Sequence, residues 1–128
     1  MNHVKPLVAV VDDDESVGRA IGRLLRSIGV TADTFKTGDL FLARLVAIPS
    51  YRPACIILDM HMPGLNGLQV QQRLLDSGIP VIFITAHDAA DVRLQALAAG
   101  AAAYLRKPFD DEALLDSVKA AVDANSAT

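Results

Sequence analysis

The chain has 128 residues, 52% of them apolar and 21% charged, and a net charge of −3. That length and balance describe one soluble domain with a real core, while the scattered Lys and Arg argue against a nucleic-acid-binding surface within the chain. No apolar run approaches the ~20 residues that cross a bilayer, and the start, Met-Asn-His-Val-Lys-Pro-Leu, lacks the apolar centre of a secretory signal. The single Cys55 leaves no internal disulfide and fits a reducing compartment, so the expected location is cytoplasmic. Within Ala54-Cys55-Ile56-Ile57-Leu58 it reads as a small buried hydrophobe.

Short apolar runs alternate with segments of helical period. Leu7–Val11 is a continuous apolar run suited to a strand buried on both faces. Val17, Ile21, Leu24, Leu25 and Ile28 then recur at helix spacing up to Gly29. Thr31–Phe35 predicts a second, more polar strand towards an edge, and Leu40, Phe41, Leu45 and Val46 predict a helix closed by Pro49. Ala54–Leu58 is the third strand, followed by a loop holding Pro63, Gly64 and Gly67, and then a helix over Leu68–Leu75 that stops at Gly78. Val81–Ile84 is the fourth strand, Asp88–Ala99 a helix ended by Gly100, and Ala103–Arg106 a short fifth strand before Pro108. Leu114, Leu115, Val118 and Val122 mark a closing helix. The domain is expected to span residues 1–124, with 125–128 a frayed tail. Five strand–helix units predict an α/β fold: a parallel, doubly wound sheet with helices on both faces. Ligands of such sheets sit beyond the carboxyl ends of the strands, where the strand order switches.

Polar residues stand at those ends. The stretch VVDDDESV places Asp12, Asp13, Asp14 and Glu15 directly after the first strand. Asp59 follows the third, Thr85 the fourth and Lys107 the fifth. Carboxylates held ~4 Å apart repel by roughly 4 kcal/mol at an effective dielectric near 20. A raised pKa is therefore expected at Asp12 or Asp13 unless a cation is bound. Carboxylates gathered on one rim suit Mg²⁺, which takes one or two of them together with waters and phosphate.

The stretches VVDDDESV, IILDMHMPGLNGL, VIFITAHD and AAAYLRKPFDDEALL run from Val10 to Leu115. In their order and spacing they resemble the successive signatures of response-regulator receiver domains of two-component signalling, a CheY-like superfamily. The resemblance implies a flavodoxin-like sheet of order 2-1-3-4-5. It makes Asp59 the acceptor of a phosphoryl group from a sensor histidine kinase or a histidine phosphotransfer protein. Mg²⁺, for which Mn²⁺ can substitute, would be held by Asp13, Asp59 and the backbone carbonyl of His61, with Asp12 acting through water. Thr85, Ala86 and Lys107 would contact the phosphoryl group, and Tyr104 would be the aromatic that turns inward as Thr85 moves. The Lys107–Pro108 bond would be cis. On this resemblance the protein is a phosphoacceptor signalling domain that catalyses only its own phosphorylation and dephosphorylation. Phosphorylation would switch the face made by the fourth helix, fifth strand and fifth helix, Asp88 to Ala121, for a homodimer or another partner. The domain would stand alone or open a longer regulator, of the kind often fused to a helix-turn-helix DNA-binding domain.

Plainer readings stand beside these. Glu15 reads as a carboxylate serving the first helix start, whereas Asp14 is open between that role and an additional acidic position near the metal. His61 and His87 lack metal-ligand spacing and read as loop residues, with His87 placed to tune the access of water. Gly67 reads as permitting the loop turn or the close start of the third helix, and Asp110 and Asp111 as charges at the last helix start. The Asp12-Asp13-Asp14 run also resembles the Asp-x-Asp motif of haloacid-dehalogenase-type phosphatases, with Asp12 as nucleophile and Asp14 as acid. That alternative leaves LDMHMPGLNG without a purpose. A flavin or nucleotide binder would place a Gly- or Ser/Thr-rich loop after the first strand, and here that loop is acidic.

Overall fold

A computed structural model describes residues 5–126. The strands are β1 (Leu7–Val11), β2 (Thr31–Phe35), β3 (Cys55–Asp59), β4 (Val81–Thr85) and β5 (Ala103–Arg106). They alternate with helices α1 (Glu15–Ser27), α2 (Gly38–Ala47), α3 (Gly67–Arg73), α4 (Ala90–Ala98) and α5 (Asp111–Ser126). All strand pairs are parallel, and the sheet order is β2-β1-β3-β4-β5.

Burial explains which strand lies where. β3 and β4 are buried throughout, as is β1 beyond Leu7, matching their unbroken apolar sequences. The mixed strands β2 and β5 take the two edges. Alternate side chains of the central strands feed two cores. Ala9, Val11, Ile56, Leu58 and Phe83 pack with Phe41, Val70 and Ala96 of α2, α3 and α4. Val8, Val10, Ile57, Ile82 and Ile84 pack with Ile21 and Leu25 of α1 and with Leu114 and Val118 of α5. The period-2 alternation of a strand thus supplies both faces of the sheet.

Side chains fix the starts of α1, α2 and α3. Asp14 caps α1 by accepting from Ser16 N, and Thr37 caps α2 by accepting from Leu40 N. Asn66 and Gln69 form a reciprocal capping box on α3. α4 has no such cap: Ala89 stands at its N-cap position. Gly29, just past α1, has φ +79, the left-handed conformation that ends helices at low cost to glycine.

Several boundaries differ from the sequence expectation. β3 starts at Cys55, and β3 and β4 each include the polar residue at their end. α3 runs from Gly67 to Arg73, leaving Leu74 and Leu75 in the turn that follows. α4 starts only at Ala90, because the Asp88 side chain is taken up by Arg93 at 2.6 Å. α5 continues to Ser126, since no glycine or proline interrupts it after residue 124. Asn125 and Ser126 therefore belong to the helix rather than to a tail, and residues 127–128 lie outside the described residues. The Lys107–Pro108 bond is cis, as the resemblance implied.

Candidate functional site

The chain leaves β1 for β2 on one side and returns for β3 on the other, so the order switches between β1 and β3. The ladder hydrogen bonds continue past the strand ends. Asp12 N donates to Phe35 O at 3.0 Å, Met60 N to Ile84 O at 3.0 Å, and Lys107 N to Thr85 O at 2.7 Å. The backbone of the rim is thereby held by the sheet itself.

On that rim Asp12, Asp13 and Asp59 each offer one carboxylate oxygen, all within 4.8 Å of one another. Asp12 and Asp59 are each only 4% exposed, while Asp13 faces solvent. The Lys107 ammonium donates to Asp12 Oδ2 at 2.8 Å and stands 3.6 Å from Asp59 Oδ1. The other Asp12 oxygen accepts from Asp14 N at 2.9 Å. Asp12 is therefore engaged on both oxygens.

Electrostatics separate the carboxyls. Burial, and next the negative charge of Asp12, push the Asp59 pKa up to about 6, against the opposing pull of Lys107 and of the His61 backbone N–H. Repulsion from Asp12, and less from Asp13, is thus part of what raises the Asp59 pKa. Burial works against the Lys107 ammonium, but the Asp12 hydrogen bond and the charges of Asp59 and Asp12 outweigh it and raise its pKa.

Asp14 points elsewhere. Its Oδ1 accepts from Ser16 N at 2.9 Å and from the Ser16 hydroxyl at 2.6 Å, and these bonds lower its pKa. Glu15 lies in the first turn of α1 and pairs with Lys36 at 2.6 Å and Arg19 at 3.9 Å, so it also ties the helix start to the end of β2. Gly67 packs behind the rim. A Cβ there would lie 2.9 Å from Met60 Cα and from the Phe83 ring, and 3.0 Å from Asp59 O.

Thr85 is fully buried, and its hydroxyl donates to His87 O at 3.0 Å while accepting from His87 N at 3.1 Å. Ala86 next to it is exposed. The His61 and His87 rings meet edge to face with centroids 5.7 Å apart, a proximity that their separation in sequence does not disclose. Tyr104 is turned inward, its ring 6.2 Å from that of Phe83. Sequence reasoning missed Arg93, which lies over the Tyr104 ring at 5.8 Å. Its position on the helical face gave no signal of this, because the contact joins two elements.

Asp12, Asp13, Asp59, Thr85 and Lys107 are thus brought to one edge of the sheet, with His61 and His87 beside them. Asp110 and Asp111 remain at the start of α5, where Asp110 Oδ1 accepts from Glu112 N at 3.3 Å.

Comparison with known proteins identifies the family and the fold. Residues 8–119 match the family described as the response regulator receiver domain. The response regulator protein TmoT of Ectopseudomonas mendocina is 36% identical over 95% of this chain and 55% of its own length. The transcriptional regulatory protein FixJ of Azorhizobium caulinodans is 35% identical over 90% of this chain and 54% of its own. The chain accordingly spans about half the length of these relatives. A response regulator receiver protein from Burkholderia phymatum, solved by crystallography, is 63% identical, with a TM-score of 0.85 over 93% of this chain and 96% of that one. The chain belongs to the response regulator receiver domain family of two-component systems.

Proposed function

We propose that this receiver accepts a phosphoryl group on Asp59 from the phosphohistidine of a sensor histidine kinase or phosphotransfer protein. The observation that carries this reading is the buried Asp59 carboxylate at the strand-order switch, with two carboxylates and one ammonium converging on it. An Asp59 oxygen attacks phosphorus and the P–N bond breaks; the imidazole leaves with its electron pair and takes up a proton. The product is an acyl phosphate, with nearly two negative charges by analogy with other phosphorylated side chains.

The donor set fits Mg²⁺: oxygens only, clustered, with a net negative charge that a divalent cation offsets. Asp13, Asp59 and the His61 carbonyl would hold it directly, and Asp12 through one of the waters that Mg²⁺ usually retains. When bound, the ion supplies charge neutralisation of the transferring group. Mn²⁺ presents the same hard, octahedral demand and would substitute. Lys107 sits between Asp12 and Asp59 and can swing its ammonium to a phosphoryl oxygen. Thr85 can redirect its hydroxyl from His87 to another, beside the exposed Ala86. The added charge would then bias the α4-β5-α5 face towards a homodimer or another partner. A cytoplasmic location is part of this proposal; no described helix is long and apolar enough to cross a membrane.

The phosphatase alternative needs Asp12 as a free nucleophile and Asp14 as an acid. Asp12 is instead buried and engaged by Lys107, and Asp14 is turned to Ser16. The test is intact-mass analysis after acetyl phosphate and Mg²⁺. One phosphoryl group on the unmodified protein and none on Asp59→Asn is expected; equal labelling of both removes Asp59 as the acceptor.

A further inference from the structure

Two imidazoles stand beside the acidic rim. His61 follows Asp59 by two residues in the β3–α3 loop, and His87 follows Thr85 by two residues in the β4–α4 loop. Their rings meet with centroids 5.7 Å apart and planes at 68°. Both residues are exposed, and His87 is hydrogen-bonded through its backbone alone. No hydrogen bond or ion pair engages either ring among the described residues. Each ring therefore keeps a nitrogen lone pair for a ligand.

The separation is close to the one a tetrahedral ion needs. A Zn–N bond of about 2.0–2.1 Å places the ion roughly 3.2 Å from the centroid of each ring that holds it. Two such rings at the tetrahedral angle have centroids about 5.2 Å apart, against the 5.7 Å observed. The edge-to-face contact does not aim both nitrogens at one point. However, the Cβ–Cγ axis runs through the ring centre, and rotation about it is soft, so a nitrogen turns inward while the centroid stays in place.

Chemistry separates this pair from the carboxylates. The oxygens of Asp12, Asp13 and Asp59 lie within 4.8 Å of one another, and neither histidine joins that group. Mg²⁺ takes such oxygens, whereas imidazole suits Zn²⁺. Three carboxylates against the single Lys107 ammonium leave the rim net negative, which draws divalent cations to this end of the sheet.

We propose that His61 and His87 form a second metal seat, a two-imidazole site for Zn²⁺ completed by water, separate from the oxygen cluster and bridging the β3–α3 and β4–α4 loops. The backbone N–H of His61 bonds to Asp59, and the backbone of His87 holds the Thr85 hydroxyl. A bridge between the two loops fixes both contacts in their present arrangement. One consequence rests on the phosphoacceptor reading given above: bound Zn²⁺ keeps Thr85 turned to His87 and slows phosphorylation of Asp59.

Calorimetric titration with Zn²⁺, in excess Mg²⁺ and without a phosphodonor, reads the site, and imidazole ¹⁵N signals identify the ligands. One Zn²⁺ per chain and shifts at both His61 and His87 are expected. His61→Gln and His87→Gln each leave one imidazole and should weaken binding by about tenfold or more, because the fold no longer supplies the second ligand at high effective concentration. Asp13→Ala should bind Zn²⁺ nearly as the parent does. Binding indifferent to both histidines, or lost in Asp13→Ala, places Zn²⁺ on the carboxylates and overturns the site. Dependence on one histidine alone overturns the pair. Labelling by acetyl phosphate should slow several-fold when Zn²⁺ is added to the parent, but not when it is added to the variant carrying both substitutions. Equal slowing in the two proteins overturns the bridging role. Because Zn²⁺ binding is read without a phosphodonor, its failure is distinct from a failure of Asp59 to be phosphorylated.

Discussion

Lys107 reaches across 95 positions of sequence to donate to Asp12 at 2.8 Å, yet stops 3.6 Å from the nearer oxygen of Asp59. One ammonium is divided unequally between two buried carboxylates. Asp12 receives the hydrogen bond, and Asp59 receives only a weaker attraction. Burial, and next the charge of Asp12, raise the pKa of the proposed acceptor, and Lys107 is the main offset to that rise in the metal-free protein.

Removing that offset should be costly. Lys107→Met retains much of the stem but leaves Asp12 and Asp59 facing each other without a cation. Breaking a partly buried pair of this kind is expected to cost roughly 1–3 kcal/mol. Urea unfolding at neutral pH in a chelator should show the loss, and added Mg²⁺ should restore part of it. A variant as stable as the parent in chelator would mean that the pair contributes nothing.

Asp59→Asn should have the opposite sign. A carboxyl whose pKa rises from 3.8 to about 6 on folding binds its proton more tightly in the folded state. Ionising it therefore opposes folding. The penalty is absent below about pH 4, where both states are protonated, grows between 4 and 6, and is complete above 6. After allowance for solvent screening at the rim, the substitution should stabilise the metal-free protein by roughly 1–2 kcal/mol at pH 7.5. Denaturation midpoints at several pH values check this. The gain should shrink towards zero at pH 4, and a gain independent of pH would assign it to something other than the charge.

The sequence carried most of this site because strand ends are legible. Apolar runs stop where Asp12, Asp59 and Thr85 begin, Lys107 follows the end of β5, and a parallel sheet delivers such positions to one edge. What it did not carry were contacts set by side-chain direction between distant elements. Repulsion among the acids was foreseeable, but the burial that leads the rise at Asp59 and the choice of Asp12 as the partner of Lys107 were not. Asp14 was open between metal and helix in the sequence; the structure shows its carboxylate capping α1 through Ser16. The start of α4 was misplaced at Asp88 because an acid before a helical run usually marks a helix start; here its carboxylate holds Arg93 instead.

Gly67→Ala should damage the site without touching a charged group. The new methyl would sit 2.9 Å from Met60 Cα and 3.0 Å from Asp59 O, and backbone cannot yield as a side-chain tip can. Overpacking of this kind costs typically ~1–3 kcal/mol. Relief that moves the end of β3 carries Asp59 with it. Thermal unfolding should show the loss, and phosphorylation by acetyl phosphate should slow together with it. An unchanged melting temperature would mean that the α3 start shifts freely.

Mg²⁺ should stabilise the fold, and the size of that effect reports which carboxylates take part. A ligand bound only by the folded state contributes about 2.7 kcal/mol when its concentration is a hundred times its dissociation constant. Asp13→Ala removes the exposed member of the cluster, which makes no ion pair with Lys107 in the structure. In chelator it should therefore have little effect on stability, or slightly increase it, since Asp13 adds to the repulsion at Asp59. In saturating Mg²⁺ it should lose most of the gain seen in the parent. Asp14→Ala should do the reverse: it removes the cap of α1 and lowers stability by ~1 kcal/mol with or without the ion. Melting curves of the three proteins across a Mg²⁺ titration separate these cases. A parent-like Mg²⁺ response in Asp13→Ala would remove Asp13 as a ligand, and a lost response in Asp14→Ala would return Asp14 to the metal.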